Sequence, residues 1–120
     1  MLVNSVPQYV QGLTNAKVDL TTTDVTTLYT APNVGDFNVS VVSSILVSDD
    51  SGSGDSITLT LTNGSDVYSL FKSKAIGANG TEELLTNDLV MQGGEILKVT
   101  AANSDRLYVM ASVQEFNQSR

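Results

Sequence analysis

The sequence predicts an all-β protein, folded as a single antiparallel β-sandwich of about eight strands with jelly-roll or immunoglobulin-like topology. From residue 16 onward, apolar and polar residues alternate, which is the period of a strand with one buried face. Turn-forming residues such as Pro, Gly, Asn and Asp interrupt this alternation at short intervals. The 13 Thr and 15 Val favour a half-buried pleated surface over a helix. A length of 120 residues is enough for one such domain.

The breaks in the alternation divide the chain into strands and turns. Strands are predicted near residues 16–22, 25–30, 37–48, 56–62, 66–72, 81–86, 94–101 and 106–115. The Asn63-Gly64 pair predicts a hairpin through a type I′ turn. Residues 81–85 are the only candidate for a helix, and we interpret them as a strand because the run is too short.

The same alternation predicts which apolar side chains form the core and which face outward. The predicted inward set is Val39, Val41, Ile45, Ile57, Leu59, Leu61, Leu97, Val99, Leu107 and Val109. The predicted outward apolar residues are Val42, Leu46, Tyr68, Leu70 and Met110. Because a monomer would leave such an outward set partly wet, these residues indicate contacts with other subunits.

Charge and composition argue against several classes of function. Six Lys and Arg against 13 Asp and Glu give a net charge of −7, which disfavours binding to nucleic acid. With no Cys there is no disulfide or thiolate metal site, and with no His the commonest general base is missing. We therefore expect no catalytic residue, no metal site and no cofactor, and no enzymatic activity. No apolar run is long enough to predict a membrane span or a secretory signal.

Two polar or aromatic sets allow sharper hypotheses. Residues 49–55 contain three carboxylates and two hydroxyls, which could bind Ca²⁺. Their spacing is not that of an EF-hand, and a solvated turn explains them without a metal, so we expect no metal here. Tyr29, Tyr68 and Tyr108 could form a platform for stacking sugars, or could instead serve core edges and subunit contacts.

The first 15 residues form an N-terminal extension ahead of a sandwich domain at 16–120. Their apolar residues are irregularly spaced, so the extension either packs on its own domain or acts as an arm buried in a neighbouring subunit. Ten residues are candidates for subunit or capsid contacts: Leu2, Val3, Val6, Tyr9, Val10, Leu13, Val42, Leu46, Tyr68 and Leu70.

An ordered set of motifs runs through most of the chain. It comprises TTLYTAP at 26–32, SDDSGS at 48–53, ITLTLT at 57–62, SLFKSKAI at 69–76, ELL at 83–85, GEILKVTA at 94–101 and QEF at 114–116. In order and spacing this set resembles small β-sandwich virion proteins of tailed bacteriophages, including short-tailed phages of cyanobacteria. The resemblance covers roughly residues 18–116 and leaves the N-terminal extension outside it.

The resemblance implies a structural role in a phage particle, with no catalytic residues to carry over. The first expectation is a capsid cement (decoration) protein that is made in the host cytoplasm and binds the outer surface of the major capsid protein lattice. It would self-associate, as a trimer by analogy with cement proteins at threefold positions. A tail, neck or fibre adaptor is the alternative, and a carbohydrate-binding module is the second alternative.

Overall fold

The structure, a computed structural model, describes residues 10–33 and 37–118. These residues contain nine strands. The strands are β1 (Val10–Leu20), β2 (Thr26–Thr30), β3 (Phe37–Asp49), β4 (Asp55–Asn63), β5 (Asp66–Ile76), β6 (Thr81–Glu83), β7 (Leu89–Gln92), β8 (Ile96–Ala101) and β9 (Leu107–Gln118). The described residues include no helix, so the prediction of an all-β fold is confirmed.

The strands pair antiparallel in two sheets. The five-stranded sheet has the order β1-β9-β3-β6, with β7 also pairing with β3, and the four-stranded sheet has the order β2-β8-β4-β5. Strands β6 and β7 pair with the two ends of β3 and therefore act as one interrupted strand. With that strand counted once, the two orders are those of an eight-stranded jelly roll. The structure thus selects the first of the two predicted topologies.

The core lies between the two sheets. Eight of the ten predicted inward residues are buried, and they are Ile45, Ile57, Leu59, Leu61, Leu97, Val99, Leu107 and Val109. Strands β4 and β8 supply most of the core side chains that come from the four-stranded sheet, because every second residue of both strands points inward. These residues confirm the period-2 pattern for the central strands.

A β-bulge in β3 overturns the predicted direction of three valines. The pairing with β9 skips a residue between Val42 and Ser44, so Ser43 is an extra residue that reverses the alternation. Val42 is therefore fully buried, and the prediction that it faces outward is wrong. Val39 and Val41, predicted inward, are instead only half-buried because they lie on the outer face of the sheet.

Strands β1 and β5 are each at least four residues longer than predicted, and one further strand was not predicted. Strand β1 begins at Val10 rather than residue 16, so residues 10–15 of the predicted extension pair with β9. Strand β5 continues to Ile76, four residues beyond its predicted end. Strand β7 was not predicted, because its four residues follow a polar turn and are too few to show an alternation.

The β4–β5 hairpin forms where it was predicted, with a different turn. Asn63 pairs with Asp66, which leaves Gly64 and Ser65 as a two-residue loop. Gly64 has a φ of 63°, while Ser65 is not among the residues with positive φ. A single positive φ at the first loop position is the pattern of a type II′ turn, so the predicted type I′ turn is wrong.

Candidate interaction surfaces

The structure separates the ten predicted contact residues into different environments. Leu2, Val3, Val6 and Tyr9 lie outside the described residues, and the side chain of Val10 does as well. Val42 is in the core. Leu13 and Leu46 lie on the outer face of the five-stranded sheet, while Tyr68 and Leu70 lie on β5 at the edge of the other sheet. The prediction therefore combined exposed residues of both sheets with one core residue.

The first surface is an apolar patch of three exposed side chains, Leu46, Tyr108 and Met110, which we call the Met110 patch. Strand pairing places Leu46 directly opposite Met110, and Tyr108 lies two residues from Met110 on the same face. Each member exposes between 38 and 44% of its surface. Three neighbouring apolar side chains on one sheet face form a contiguous patch, unlike scattered exposed residues.

The Met110 patch forms the floor of a shallow depression of about 480 Å³. Charged side chains stand at its margins, because Lys17 pairs with Met110 and Asp19 pairs with Tyr108 across β1. On the opposite side, Glu83 pairs with Leu46. The Glu83 carboxylate accepts hydrogen bonds from the Ser44 hydroxyl and from the Ile45 N–H, and so fastens β6 to β3. The patch is thus concave, apolar in the middle and charged at the rim.

A second apolar area lies farther along the same outer face. Leu13, Val41 and Val90, which we call the Leu13 patch, lie in one row across the sheet, with Gln114 between Leu13 and Val41. Leu13 is 75% exposed and Val90 is 55% exposed. Sequence reasoning missed this patch because it assigned Val41 to the core and did not predict β7.

A polar band separates the two patches of the outer face. Asn15, Ser112 and Ser44 form a cross-strand row, and the bulge residue Ser43 lies beside it. The hydroxyl of Ser43 donates to the Ser112 carbonyl oxygen at 3.3 Å. The bulge that reverses β3 therefore also divides this face into two separate apolar areas.

The edge strand β5 exposes three apolar side chains, Val67, Tyr68 and Leu70. They do not form one surface, because Val67 pairs with Thr62 on the outer face whereas Tyr68 pairs with the buried Leu61. The pairing of β5 with β4 is irregular at two points, so β5 carries extra residues near Leu70 and near Ser73. Ser73 has a φ of 53°, in the left-handed region, and its N–H donates to the Thr58 hydroxyl. These exposed side chains thus lie along a sheet edge whose pairing is irregular.

The outer face of the four-stranded sheet has a different chemistry. Thr58 and Thr60 of β4 pair with Thr100 and Lys98 of β8, and all four are half-buried. The centre of this face thus presents hydroxyl groups and one amine, while Ile96 and Val67 flank Thr62 farther along it. The other large exposed apolar side chains lie on the five-stranded sheet, elsewhere on β5 and at Val25 in the loop before β2.

The loop at 49–55 uses its first carboxylate to hold the turn together. Oδ1 of Asp49 accepts from the N–H and hydroxyl of Ser51, and Oδ2 accepts from the N–H groups of Gly54 and Asn79 at 2.8 and 3.1 Å. These hydrogen bonds, that of the Ser51 hydroxyl first, lower the pKa of Asp49 far below its ordinary value of 3.8. Within the described residues no group of three or more acidic side chains is arranged to hold a metal ion.

The three tyrosines of the sugar-platform hypothesis are not brought together. Tyr29 is buried between the sheets, Tyr68 lies on β5, and Tyr108 lies on the outer face of the five-stranded sheet. The Tyr29 hydroxyl donates to Glu115 at 2.5 Å and is hydrogen-bonded to Ser40 at 2.9 Å, which links the two sheets. Burial, followed by the bond to Glu115, raises the pKa of Tyr29 well above its usual range.

No helix in the described part of the chain is long and apolar enough to span a membrane.

Comparison with known proteins gives similarities of structure. No protein-family model matches the sequence, and no curated protein sequence matches it either. Among solved structures, the chain is similar to the core of Drosophila NLP, described in terms of pentamer formation and histone binding. That likeness has 10% identity and a TM-score of 0.49, and it covers 84% of this chain and 96% of the other.

Two structures of a pentameric capsid protein from metagenomic phage sequences are also similar to this chain. The first has 17% identity and a TM-score of 0.46, covering 88% of this chain and 61% of that one. The second has 19% identity and a TM-score of 0.48, covering 95% and 73%. A phage capsid protein is thus among the structural neighbours, and at such identities the likeness concerns the fold alone.

Proposed function

We propose that this protein is a non-enzymatic structural component of a phage virion, and specifically a capsid cement protein. It binds the outer surface of the major capsid protein lattice and stabilises the shell. The observation that carries this proposal is the apolar outer face of the five-stranded sheet, with its Met110 and Leu13 patches. The motif resemblance to small β-sandwich virion proteins supports the same role.

Cement stabilises a shell by burying apolar area across subunit boundaries, which opening of the shell must expose again. Burial yields roughly 25 cal/mol per Å² of apolar surface, so a contact that covers about 400 Å² contributes about 10 kcal/mol. Loss of translational and rotational freedom opposes association by roughly 4–15 kcal/mol. One patch alone is therefore marginal, and a stable cement needs several contacts per subunit, which this chain offers.

We assign the capsid contact to the Leu13 patch together with residues 1–9. Leu13 is the most exposed large apolar side chain of the described residues, and it lies three residues after the start of β1. Strand β1 therefore begins near this patch. The segment ahead of it in the sequence contains Leu2, Val3, Val6 and Tyr9, which we assign to the same contact.

Net charge supports a position on the outside of the particle. A subunit with a net charge of −7 is repelled by packaged DNA, whereas on the outer surface the same charge promotes solubility. The proposal includes self-association, with a trimer at threefold lattice positions as its first form. Because two similar solved structures are pentameric, a measurement of the oligomeric state must distinguish three subunits from five.

The copy number per virion tests the proposal most directly. A stained gel of purified virions, with the band of this protein set against that of the major capsid protein, should give hundreds of copies. A dozen or fewer copies would contradict the cement role and indicate a tail, neck or fibre adaptor instead. Absence from virions together with glycan-array binding would indicate a carbohydrate-binding module.

Substitution of the Leu13 patch tests the assigned contact. The Leu13→Asp and Val90→Asp variants should fold normally, because both side chains are exposed, and should bind purified shells at least tenfold more weakly. Thr27→Asp, at an exposed position on the outer face of the other sheet, is the matched control and should bind like the wild type. Undiminished binding of both patch variants would exclude this contact.

A further inference from the structure

We propose that Asn63 is a site of spontaneous covalent modification, at which the side-chain amide is converted to a carboxylate through a succinimide. The reaction needs no enzyme, consumes water and releases ammonia. It goes beyond the proposed function, because it depends on the chemistry of one turn and on no partner of the protein.

The sequence contains two Asn-Gly pairs, Asn63-Gly64 and Asn79-Gly80. In such a pair the backbone nitrogen of the glycine loses its proton and attacks Cγ of the asparagine. The bond from Cγ to the side-chain nitrogen breaks, ammonia leaves, and a five-membered succinimide ring remains. Water then opens the ring at either of its carbonyl carbons and gives aspartate or isoaspartate. Glycine favours the attack because no Cβ shields its nitrogen.

The Asn63-Gly64 pair lies in the exposed turn of the β4–β5 hairpin, where the reaction has room. A Cβ at Gly64 would meet no heavy atom within 4 Å, and in the described part of the chain the Gly64 N–H donates no hydrogen bond. Asn63 is the last residue of β4, so rotation of its backbone toward the attacking geometry disturbs only the closing pair of the hairpin, with Asp66. Because the end of a hairpin opens locally at low cost, the nucleophile can reach Cγ.

The Asn79-Gly80 pair is a comparison within the same chain, because its backbone is held. The Gly80 N–H donates to the Gly77 carbonyl oxygen at 3.0 Å, and the Gly80 carbonyl oxygen accepts from the Asp49 N–H at 2.9 Å. The Asn79 N–H donates to Oδ2 of Asp49 at 3.1 Å. The nitrogen that would attack is thus already engaged, and these bonds must open before the reaction can begin. The two pairs have the same chemistry and opposite surroundings.

Modification of Asn63 changes a contact between two turns. Nδ2 of Asn63 donates to Oε2 of Glu95 at 3.1 Å, and Oε1 of Glu95 accepts from the Gln92 N–H at 2.7 Å. Glu95 therefore connects the β4–β5 hairpin with the turn that leads from β7 to β8. A carboxylate at position 63 cannot donate this hydrogen bond, and it places a second negative charge beside Glu95 in a chain whose net charge is already −7. The modification thus loosens this end of the four-stranded sheet.

The rates of reaction at the two pairs test the proposal. The full-length protein is kept in warm, mildly alkaline buffer, and peptides from timed samples are analysed by mass spectrometry for the change from amide to acid. Asn63 should be converted at least about tenfold faster than Asn79, because the bonds around Asn79 must open first. Isoaspartate should be among the products at position 63, since it forms through the succinimide. The control is the same chain unfolded in guanidinium chloride, in which both pairs should react at similar rates.

Three results would overturn the proposal. Equal rates at the two pairs in the folded protein, or faster conversion of Asn79, would show that the hairpin turn does not select Asn63. An intact Asn63 in the folded protein, over a time in which the unfolded chain reacts at both pairs, would show that the fold protects both. Conversion to aspartate without any isoaspartate would exclude the succinimide route.

The structural consequence has a test of its own. Asn63→Asp reproduces the aspartate product and should lower the melting temperature by about 2–4 °C. Addition of Glu95→Gln should restore most of this loss, since the glutamine amide can donate to the new carboxylate. Ser65→Asp, at an exposed position of the same turn, adds the same charge without removing the hydrogen bond to Glu95 and should keep the wild-type melting temperature. An Asn63→Asp protein as stable as the wild type would show that the modification leaves this end of the sheet intact.

Discussion

Val41 and Val42 are adjacent and chemically identical, yet their side chains lie on opposite faces of the five-stranded sheet. Val42 is fully buried, so Val42→Ala should lower the free energy of unfolding by about 1.5–3 kcal/mol through lost burial and a new cavity. Val41→Ala, on the half-buried outer face, should cost less than about 1 kcal/mol. Urea unfolding followed by circular dichroism measures both values. A larger cost for Val41→Ala would mean that β3 has no bulge.

Asp49 should make the stability of the protein depend on pH. Its hydrogen bonds hold the folded pKa below the ordinary 3.8, so the native state retains the carboxylate more strongly than the unfolded chain does. This stabilisation is complete above about pH 5 and is lost as the pH falls through about 4 toward the folded pKa. Asp49→Asn should therefore lower the melting temperature at pH 7 by several degrees and flatten its decline below pH 5. Asp50→Asn, at the exposed neighbouring position, is the control and should keep the wild-type profile.

The same carboxylate predicts the response to calcium. Both oxygens of Asp49 already accept hydrogen bonds from Ser51, Gly54 and Asn79, so the turn is closed without an ion. Addition of millimolar Ca²⁺, or of a chelator, should leave the melting temperature unchanged. A calcium-dependent rise of several degrees would restore the calcium hypothesis, because a ligand that binds only the native state stabilises it by mass action.

Among the elements, β5 depends on an unusual backbone position. Ser73 adopts a φ of 53°, a conformation that costs most for β-branched residues and nothing for glycine. Ser73→Val should thus destabilise the protein by about 1–2 kcal/mol, while Ser73→Gly should be neutral or slightly stabilising. Ser69→Val, at an exposed position of the same strand without a positive φ, is the matched control. Equal effects of valine at both positions would show that β5 has no such bulge.

Elements also show how far the sequence predicts the structure. Alternation located the central strands β4, β8 and β9 and their buried faces, because each is long and has one wet side. It failed where the hydrogen-bonding register shifts, as at Ser43 in β3. A bulge changes which face a side chain occupies without changing the local composition, so the Leu13 patch could not be found from periodicity.

The predicted contact residues were likewise only partly predictable from the sequence. Leu46, Tyr68 and Leu70 were predicted as exposed apolar residues, and the structure confirms their exposure. Their division between two sheets depends on the jelly-roll topology, which brings β9 between β1 and β3. Such long-range pairing leaves no local signal in the sequence. Strand patterns could therefore supply candidates for contact, while only the fold could group them into surfaces.

For the whole molecule, two N-terminal truncations test how far the predicted arm extends. Residues 10–15 pair with β9, so deletion of residues 2–15 removes half of β1 and should destabilise the fold, contrary to an arm that spans all 15 residues. Deletion of residues 2–9 removes none of the described strand pairs and should change the melting temperature by no more than about 2 °C.

The same 2–9 deletion should weaken capsid binding although it leaves the stability of the fold nearly unchanged. The 2–9 deletion removes Leu2, Val3, Val6 and Tyr9, and with them the apolar area that we assign to the capsid contact beside the Leu13 patch. Its occupancy of purified shells should fall at least tenfold, since loss of about 60 Å² of buried apolar surface already costs that factor. Sedimentation of shells with bound protein, titrated against the wild type, measures the difference. Equal occupancy at every concentration would assign the capsid contact to the folded domain alone.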